Sequence, residues 1–160
     1  MAVKTNVLRY LDAHKIPYRT YEYTIEDENY DGKLIAQKTG VESARVFKTL
    51  VLSDDKNGHL VCVIPVDREL DLKAVARASG HKSVAMLPQK DLLPLTGYLR
   101  GGCSPIGMKK AFPTFIDEAA MAFECICVSA GQQGCQVELA VGELVRITRA
   151  KAAGITRGNS

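Results

Sequence analysis

Two stretches of the chain carry residues that could do chemistry. The first is residues 101–107, Gly-Gly-Cys-Ser-Pro-Ile-Gly, which holds three glycines in seven positions. Because glycine lets a ligand approach the main chain closely, such a loop can aim backbone N–H groups at an oxygen with developing negative charge. An ordinary turn between two strands has the same composition, so the sequence leaves both interpretations open.

The second stretch is residues 46–52, Val-Phe-Lys-Thr-Leu-Val-Leu, a strand-like apolar run that Lys48 interrupts. Asn57-Gly58 is a hairpin signal, and residues 60–65 form an equally apolar return. The pattern predicts a central hairpin that is covered on both faces. Within it, Lys48 is either an edge lysine that discourages aggregation or a cation that points into a pocket and binds an anionic group.

Several common catalytic motifs are excluded. Gly102 and Gly107 have phosphate-loop spacing, but Met108 stands where that loop requires a lysine. The chain has no Gly-x-Ser-x-Gly elbow, and its three histidines have no evident nucleophile beside them. What remains is a lysine on a strand, a loop rich in N–H donors and several tyrosines. This set can bind and polarise a carbonyl or ester, but it offers no obvious general base.

Length and composition indicate an ordinary globular domain. The 160 residues fit one domain with a sizeable core. The 21 Lys and Arg against 18 Asp and Glu give a net charge of +3, which is compatible with nucleic acid without arguing for it. Five cysteines, mostly inside apolar runs, indicate a reducing compartment. With no apparent secretory signal or membrane span, we expect a cytoplasmic protein.

Periodicity and turn signals predict the order of the elements. Helices are expected from Thr5 to about His14 and over residues 33–38, 70–78 and 143–152. Strands are expected over residues 46–53, 60–65, 83–86, 114–117, 123–130 and 136–140, with a frayed tail over 154–160. Tyr21 and Tyr23 alternate on one face of a further strand, where they form either a half-buried edge or a pocket wall.

The motifs, taken in order, resemble the YbaK family, whose members are free-standing relatives of the editing domain of bacterial prolyl-tRNA synthetase. The residues that carry the resemblance span nearly the whole chain, at positions 46–50, 70–73, 97–107, 128–131 and 138–139. The resemblance implies an α/β (α+β) fold. It implies a single editing domain over residues 1–160, with a mixed, strongly curved β-sheet and flanking helices.

The resemblance also implies an activity and a site. The activity is the removal of a wrong amino acid from tRNA, and the most similar type is the Cys-tRNA(Pro) deacylases. The implied catalytic residues are Lys48, Gly101 and Gly102. The implied substrate-binding residues are Tyr23, Tyr30, Ser104, Ser129 and Gln136. Some relatives carry an acid where this chain has Gln136, which can only hydrogen-bond.

An aminoacyl ester is already activated, and cysteine on tRNA carries its own nucleophile. The family mechanism resembles attack by that thiolate, with the enzyme supplying positioning and oxyanion stabilisation from the Gly101 and Gly102 amides. No cofactor or metal is then needed. We expect Cys103 to act as a spacer in the loop rather than as a catalytic residue. Lys82, Arg100, Lys109 and Lys110 are candidates for phosphate contacts at the acceptor end, or simply scattered surface charges.

The expected partner is a mischarged tRNA(Pro), with prolyl-tRNA synthetase as a candidate second partner and neither membrane nor DNA involved. Two alternatives stay open. One is a deacylase for another mischarged tRNA, such as Ala-tRNA(Pro), because binding alone separates small side chains poorly. The other is a non-enzymatic tRNA-binding or regulatory module that has kept the pocket.

Overall fold

The computed structural model describes residues 4–27 and 29–157, which form five α-helices and ten β-strands. The helices are α1 (Asn6–Ala13), α2 (Gly32–Thr39), α3 (Leu72–Ser79), α4 (Leu92–Thr96) and α5 (Val141–Thr148). The strands are β1 (Tyr18–Glu22), β2 (Phe47–Asp54), β3 (His59–Pro65), β4 (Glu69–Leu70), β5 (Val84–Met86), β6 (Thr114–Asp117), β7 (Cys125–Ser129), β8 (Cys135–Ala140), β9 (Lys151–Ala153) and β10 (Thr156–Arg157). This is the mixed α/β domain that the sequence predicts; its strong curvature stays a prediction.

The larger sheet has the strand order β5-β2-β3-β6-β9. Its β2–β3 hairpin is antiparallel, whereas β6 runs parallel to both β3 and β9. The predicted central hairpin is confirmed, since β3 occupies the middle of the sheet and its residues from Leu60 onward are buried. On the other side of the hairpin, β5 pairs with β2 only at Leu52–Asp54. The N-terminal half of β2, which includes Lys48, therefore has no strand neighbour on that side among the described residues.

A second sheet, β1-β8-β7, is antiparallel throughout, and a short pair joins β4 to β10. The two larger sheets meet at an isolated parallel bridge between Val46 and Cys127. Helix α1 covers the main core with Val7, Leu8 and Leu11, which are all essentially inaccessible to solvent. The core thus fills the space between α1 and the two sheets.

The helix boundaries follow local signals that the sequence carries. The Thr5 hydroxyl accepts the Leu8 N–H at 3.2 Å and caps α1. Gly40 and Gly80 end α2 and α3 in the left-handed conformation, at φ of 76° and 77°. No helix among the described residues is long and apolar enough to cross a membrane.

The C-terminal region departs from the prediction in two ways. Helix α5 ends at Thr148 rather than near residue 152, because the next residues pair with β6 as β9. The prediction of a frayed tail is wrong for residues 154–157: Ile155 is fully buried and β10 pairs with β4. Residues 158–160 lie outside the described residues. In both cases a tertiary contact, which local periodicity cannot reveal, decides the conformation.

Asp117 at the end of β6 fixes this terminal segment. Its Oδ1 accepts the Ile155 N–H at 3.1 Å and the Thr156 hydroxyl at 3.2 Å, and its Oδ2 accepts the Ala119 N–H at 3.1 Å. The side chain is buried. Removing it leaves buried donors without acceptors, which is more costly than the loss of an exposed hydrogen bond.

We therefore expect Asp117→Ala to lower the free energy of unfolding by on the order of 3 kcal/mol. Asp117→Asn is the matched control, because its amide oxygen can still accept from Ile155 while its NH₂ cannot accept from Ala119. In urea denaturation, the transition midpoint should be highest for wild type, lower for Asp117→Asn and lowest for Asp117→Ala. Equal transition midpoints for all three proteins would show that Asp117 does not hold the segment.

Candidate active site

A cavity of about 280 Å³ opens beside the unpaired half of β2. Its walls come from β2, the start of α2, the segment that follows β5, the glycine loop, and the facing ends of β7 and β8. Five of the eight site residues implied by the family resemblance line it: Tyr30, Lys48, Gly101, Ser129 and Gln136. The cavity is therefore the candidate active site.

Lys48 is half-buried on β2, opposite Ile64 of β3, and lines the cavity. Within the described part of the chain, no carboxylate comes within 4.0 Å of its ammonium group. An ammonium in a largely apolar wall, without a protein counter-ion, is available to an anionic or strongly polar ligand. This position favours the pocket interpretation of Lys48 over that of an edge lysine.

Gly101 has a φ of +83°, a conformation that favours glycine. A Cβ at this position would lie 2.3 Å from Cδ1 of Tyr30, so the tyrosine ring packs directly on the glycine. The Gly101 N–H donates no hydrogen bond to any described residue. It is thus a donor that remains available to a ligand.

Gly102 and Ser104 do not line the cavity. The Gly102 N–H already donates to the Leu99 carbonyl at 2.9 Å, so the oxyanion role expected of it does not fit this geometry. Ser104 is fully buried, and its hydroxyl accepts the Ile106 N–H at 3.2 Å. Both residues shape the loop from inside, and of the two expected oxyanion donors only Gly101 is left.

Tyr23 does not line the cavity itself, but it contacts a residue that does. The Gln136 amide lines the cavity, is only 5% exposed and donates from Nε2 to the Tyr23 hydroxyl at 3.2 Å. Its Oε1 is buried and has no hydrogen-bond partner among the described residues. Burial raises the pKa of Tyr23, so its hydroxyl stays protonated at neutral pH. Tyr21, by contrast, donates to Glu138 at 3.2 Å and belongs to the half-buried edge.

Cys103 also lines the cavity, but it is a poor nucleophile. Burial raises the pKa of its thiol to about 12, which leaves very little thiolate at neutral pH. The position agrees with the expectation that Cys103 is a spacer. No histidine, aspartate or glutamate of the described residues lines the cavity, so it contains no carboxylate or imidazole base.

Of the four predicted phosphate contacts, only Arg100 lines the cavity. Lys109 donates to the Pro94 carbonyl at 3.2 Å, and Lys110 lines a separate hollow near α5.

The sequence analysis did not predict the apolar wall formed by Met86 and Leu87. The sequence carried a signal for this wall, because Met86 ends the short strand that pairs with β2 and Leu87 follows directly after it.

One grouping outside the cavity has metal-ligand chemistry. Asp54, Asp55 and His81 place their donor atoms within 4.8 Å of one another at the turn end of the β2–β3 hairpin. Both imidazole nitrogens already contact carboxylates, at 3.3 Å to Asp54 and 2.9 Å to Asp55. The donor atoms of this grouping therefore already have partners within it.

Comparison with known proteins agrees with this geometry. Residues 30–147 match the family described as the aminoacyl-tRNA editing domain. A protein of Enterococcus faecalis (strain ATCC 700802 / V583), whose name describes it as the Cys-tRNA(Pro)/Cys-tRNA(Cys) deacylase EbsC, is 48% identical over 96% of this chain and 93% of its own length.

Two solved structures share the fold. One, described as a trans-editing enzyme for prolyl-tRNA synthetase, has a TM-score of 0.81 and 21% identity, and covers 98% of this chain and 100% of its own. The other, a hypothetical protein designated APE2540, has a TM-score of 0.84 and 22% identity over 93% and 97% of the two chains. Together with the sequence match, they confirm the resemblance that the motifs indicate: the chain belongs to the aminoacyl-tRNA editing domain family.

Proposed function

We propose that the protein is a trans-editing deacylase, built as one domain over residues 1–160, that removes cysteine from mischarged Cys-tRNA(Pro). The observation that carries the proposal is a cavity that combines the Lys48 ammonium and the Gly101 N–H, neither of which has a partner among the described residues, and whose described lining includes no carboxylate or imidazole. The 48% identity to a relative named for this activity supports the choice of substrate. The proposal makes mischarged tRNA(Pro) the partner and prolyl-tRNA synthetase a candidate second partner.

The missing base is explained if the substrate supplies the nucleophile. The sulfur of the esterified cysteine attacks its own carbonyl carbon, a C–S bond forms and the ester C–O bond to the ribose breaks. The thiol proton ends on the ribose oxygen, so the products are tRNA with a free terminal hydroxyl and a cyclic thiolactone, which water then opens. A protein that hosts this reaction needs to orient the ester and stabilise the oxyanion.

Different residues of the cavity orient the ester and stabilise the oxyanion. The Gly101 N–H is the donor for the oxyanion, and Lys48 holds the terminal adenosine or its phosphate and orients the ester. Gln136 is oriented by its hydrogen bond to Tyr23, and Ser129 lies opposite it in the β7–β8 pair. Both side chains hydrogen-bond the aminoacyl group without contributing charge. Arg100, which is exposed and lines the cavity, binds a phosphate of the acceptor end.

Ala-tRNA(Pro) is the second candidate substrate. The walls beside β2 are apolar, and apolar pockets separate side chains that differ by one atom only weakly. A panel of tRNA(Pro) charged with cysteine, alanine or 2-aminobutyrate distinguishes the two activities. Cleavage of none of the three esters, with tRNA still bound, would support the non-enzymatic alternative.

We expect Lys48→Ala to lower kcat/KM for Cys-tRNA(Pro) by about 100-fold or more, as is typical when one electrostatic contact in a site is removed. The fold should survive, because Lys48 forms no ion pair with any residue that the structure describes. Lys56→Ala, on the exposed turn of the same hairpin, is the matched control and should retain wild-type activity. A folded Lys48→Ala protein with near-normal turnover would contradict the assignment.

Gly101→Ala should damage activity more than stability. The added Cβ would displace the Tyr30 ring from the cavity wall, in addition to the strain of a positive φ. Gly40→Ala is the matched control, since Gly40 has a similar φ of +76° but open space around the added Cβ. Thermal unfolding should show a loss in both variants from the shared backbone strain, with a further loss in Gly101→Ala from the contact with Tyr30, while deacylation falls only in Gly101→Ala. Equal activity in the two variants would make the loop purely structural.

We expect Cys103→Ala to retain most of its activity on Cys-tRNA(Pro), because burial keeps this thiol protonated. The wild-type protein should act poorly on the 2-aminobutyryl ester, which is similar in size but lacks a thiol. Loss of activity in Cys103→Ala, with efficient cleavage of the aminobutyryl ester by wild type, would identify an enzyme-borne nucleophile. Equal cleavage of both esters by Cys103→Ala would indicate attack by water.

A further inference from the structure

One side chain outside the cavity lining connects three segments of the site. Gln133, in the turn between β7 and β8, donates from Nε2 to the Tyr30 hydroxyl at 3.0 Å and to the Arg100 carbonyl at 2.6 Å. These contacts tie the turn to the segment before α2 and to the start of the glycine loop. The same loop packs on the turn, since a Cβ on Gly102 would lie 3.0 Å from the main-chain nitrogen of Gln133.

Tyr30 is held at three places as a result. Its hydroxyl accepts from Gln133, its ring edge rests on Gly101, and the Arg100 guanidinium lies 5.6 Å from its ring centroid. The last distance is within the range of a cation–π contact. Because Tyr30 lines the cavity, this arrangement fixes one wall of the site beside the Gly101 N–H.

We propose that Gln133 is a positioning residue, which pins Tyr30 across Gly101 and so fixes the wall against which the aminoacyl ester is oriented. Without the Nε2 hydrogen bond to its hydroxyl, the ring keeps its contacts with Arg100 and Gly101 but gains rotational freedom that productive binding must remove. Misplacement of a reacting group by about 1 Å is enough to slow a reaction that depends on orientation. The role in catalysis rests on the proposed deacylation; the pinning itself rests only on the contacts of Gln133.

A double-mutant cycle tests the pinning through the reaction. The variants are Gln133→Met, which keeps the side-chain length and removes the donor, Tyr30→Phe, which removes only the hydroxyl, and their combination. Gln132→Met is the matched control, because it makes the same chemical change on an exposed neighbour in the same turn.

We expect Gln133→Met to lower kcat for Cys-tRNA(Pro) by roughly 3- to 10-fold, the loss that one hydrogen bond of ordinary strength implies, with a smaller change in KM. The double variant should be no slower than Gln133→Met, because both changes break the same contact. Gln132→Met should stay within about 2-fold of wild type, the spread of a neutral surface change. Independent, multiplicative losses, or a wild-type kcat in Gln133→Met, would overturn the proposal.

A second readout does not depend on activity. In protein labelled with ¹³C at the tyrosine rings, the Tyr30 signal is assigned by its loss in Tyr30→Phe. We expect Gln133→Met to shift that signal, and Gln132→Met to leave it in place. An unmoved Tyr30 signal in Gln133→Met would overturn the pinning, even in a protein with full activity. Failure of the wild type to deacylate any ester of the panel would overturn the proposed function instead, and the ring signal would still decide the pinning.

Discussion

The incomplete pairing of β2 is the constraint on which the site depends. Strand β5 pairs with β2 only at Leu52–Asp54, so the N-terminal half of β2 borders a cavity instead of another strand. Continuing that ladder past Lys48 would fill the space with main chain. The open edge lets a buried strand present a lysine to a ligand, while the apolar hairpin behind it holds the lysine rigidly. The glycine loop and the ends of β7 and β8 then close the remaining sides.

The chemistry available in this cavity is that of a weak catalyst with accurate placement. Its cationic groups are Lys48 and Arg100, its loop offers the Gly101 N–H, and its amide and hydroxyl groups are neutral. The thiol of Cys103 is kept protonated by burial. Such a site is poorly equipped to activate a nucleophile of its own, but it can orient an ester that carries one. The described lining includes no carboxylate or imidazole, which is consistent with a substrate that supplies its own nucleophile.

Local signals in the sequence predicted the hairpin and the helix start at Thr5, because each depends on residue types at short spacing. They singled out Lys48 but left open whether it faces a pocket or lies at an edge. They could not reveal that Gly102 donates to Leu99, since loop composition does not show which N–H groups are already used. The pairing of β9 with β6 and the Tyr30–Gln133 contact join residues far apart in the chain. Such contacts arise only from tertiary structure, and for the same reason the sequence predicted helix at residues 151–152, which belong to β9.

The account is tested most directly by single-turnover deacylation of Cys-tRNA(Pro) beside correctly charged Pro-tRNA(Pro). Proline has no thiol to attack its own ester, so the protein is predicted to release cysteine and to spare proline. Both reactions use the same tRNA, and a difference in rate therefore reports on the aminoacyl group alone. Release of proline as fast as cysteine, or release of neither, would contradict the account.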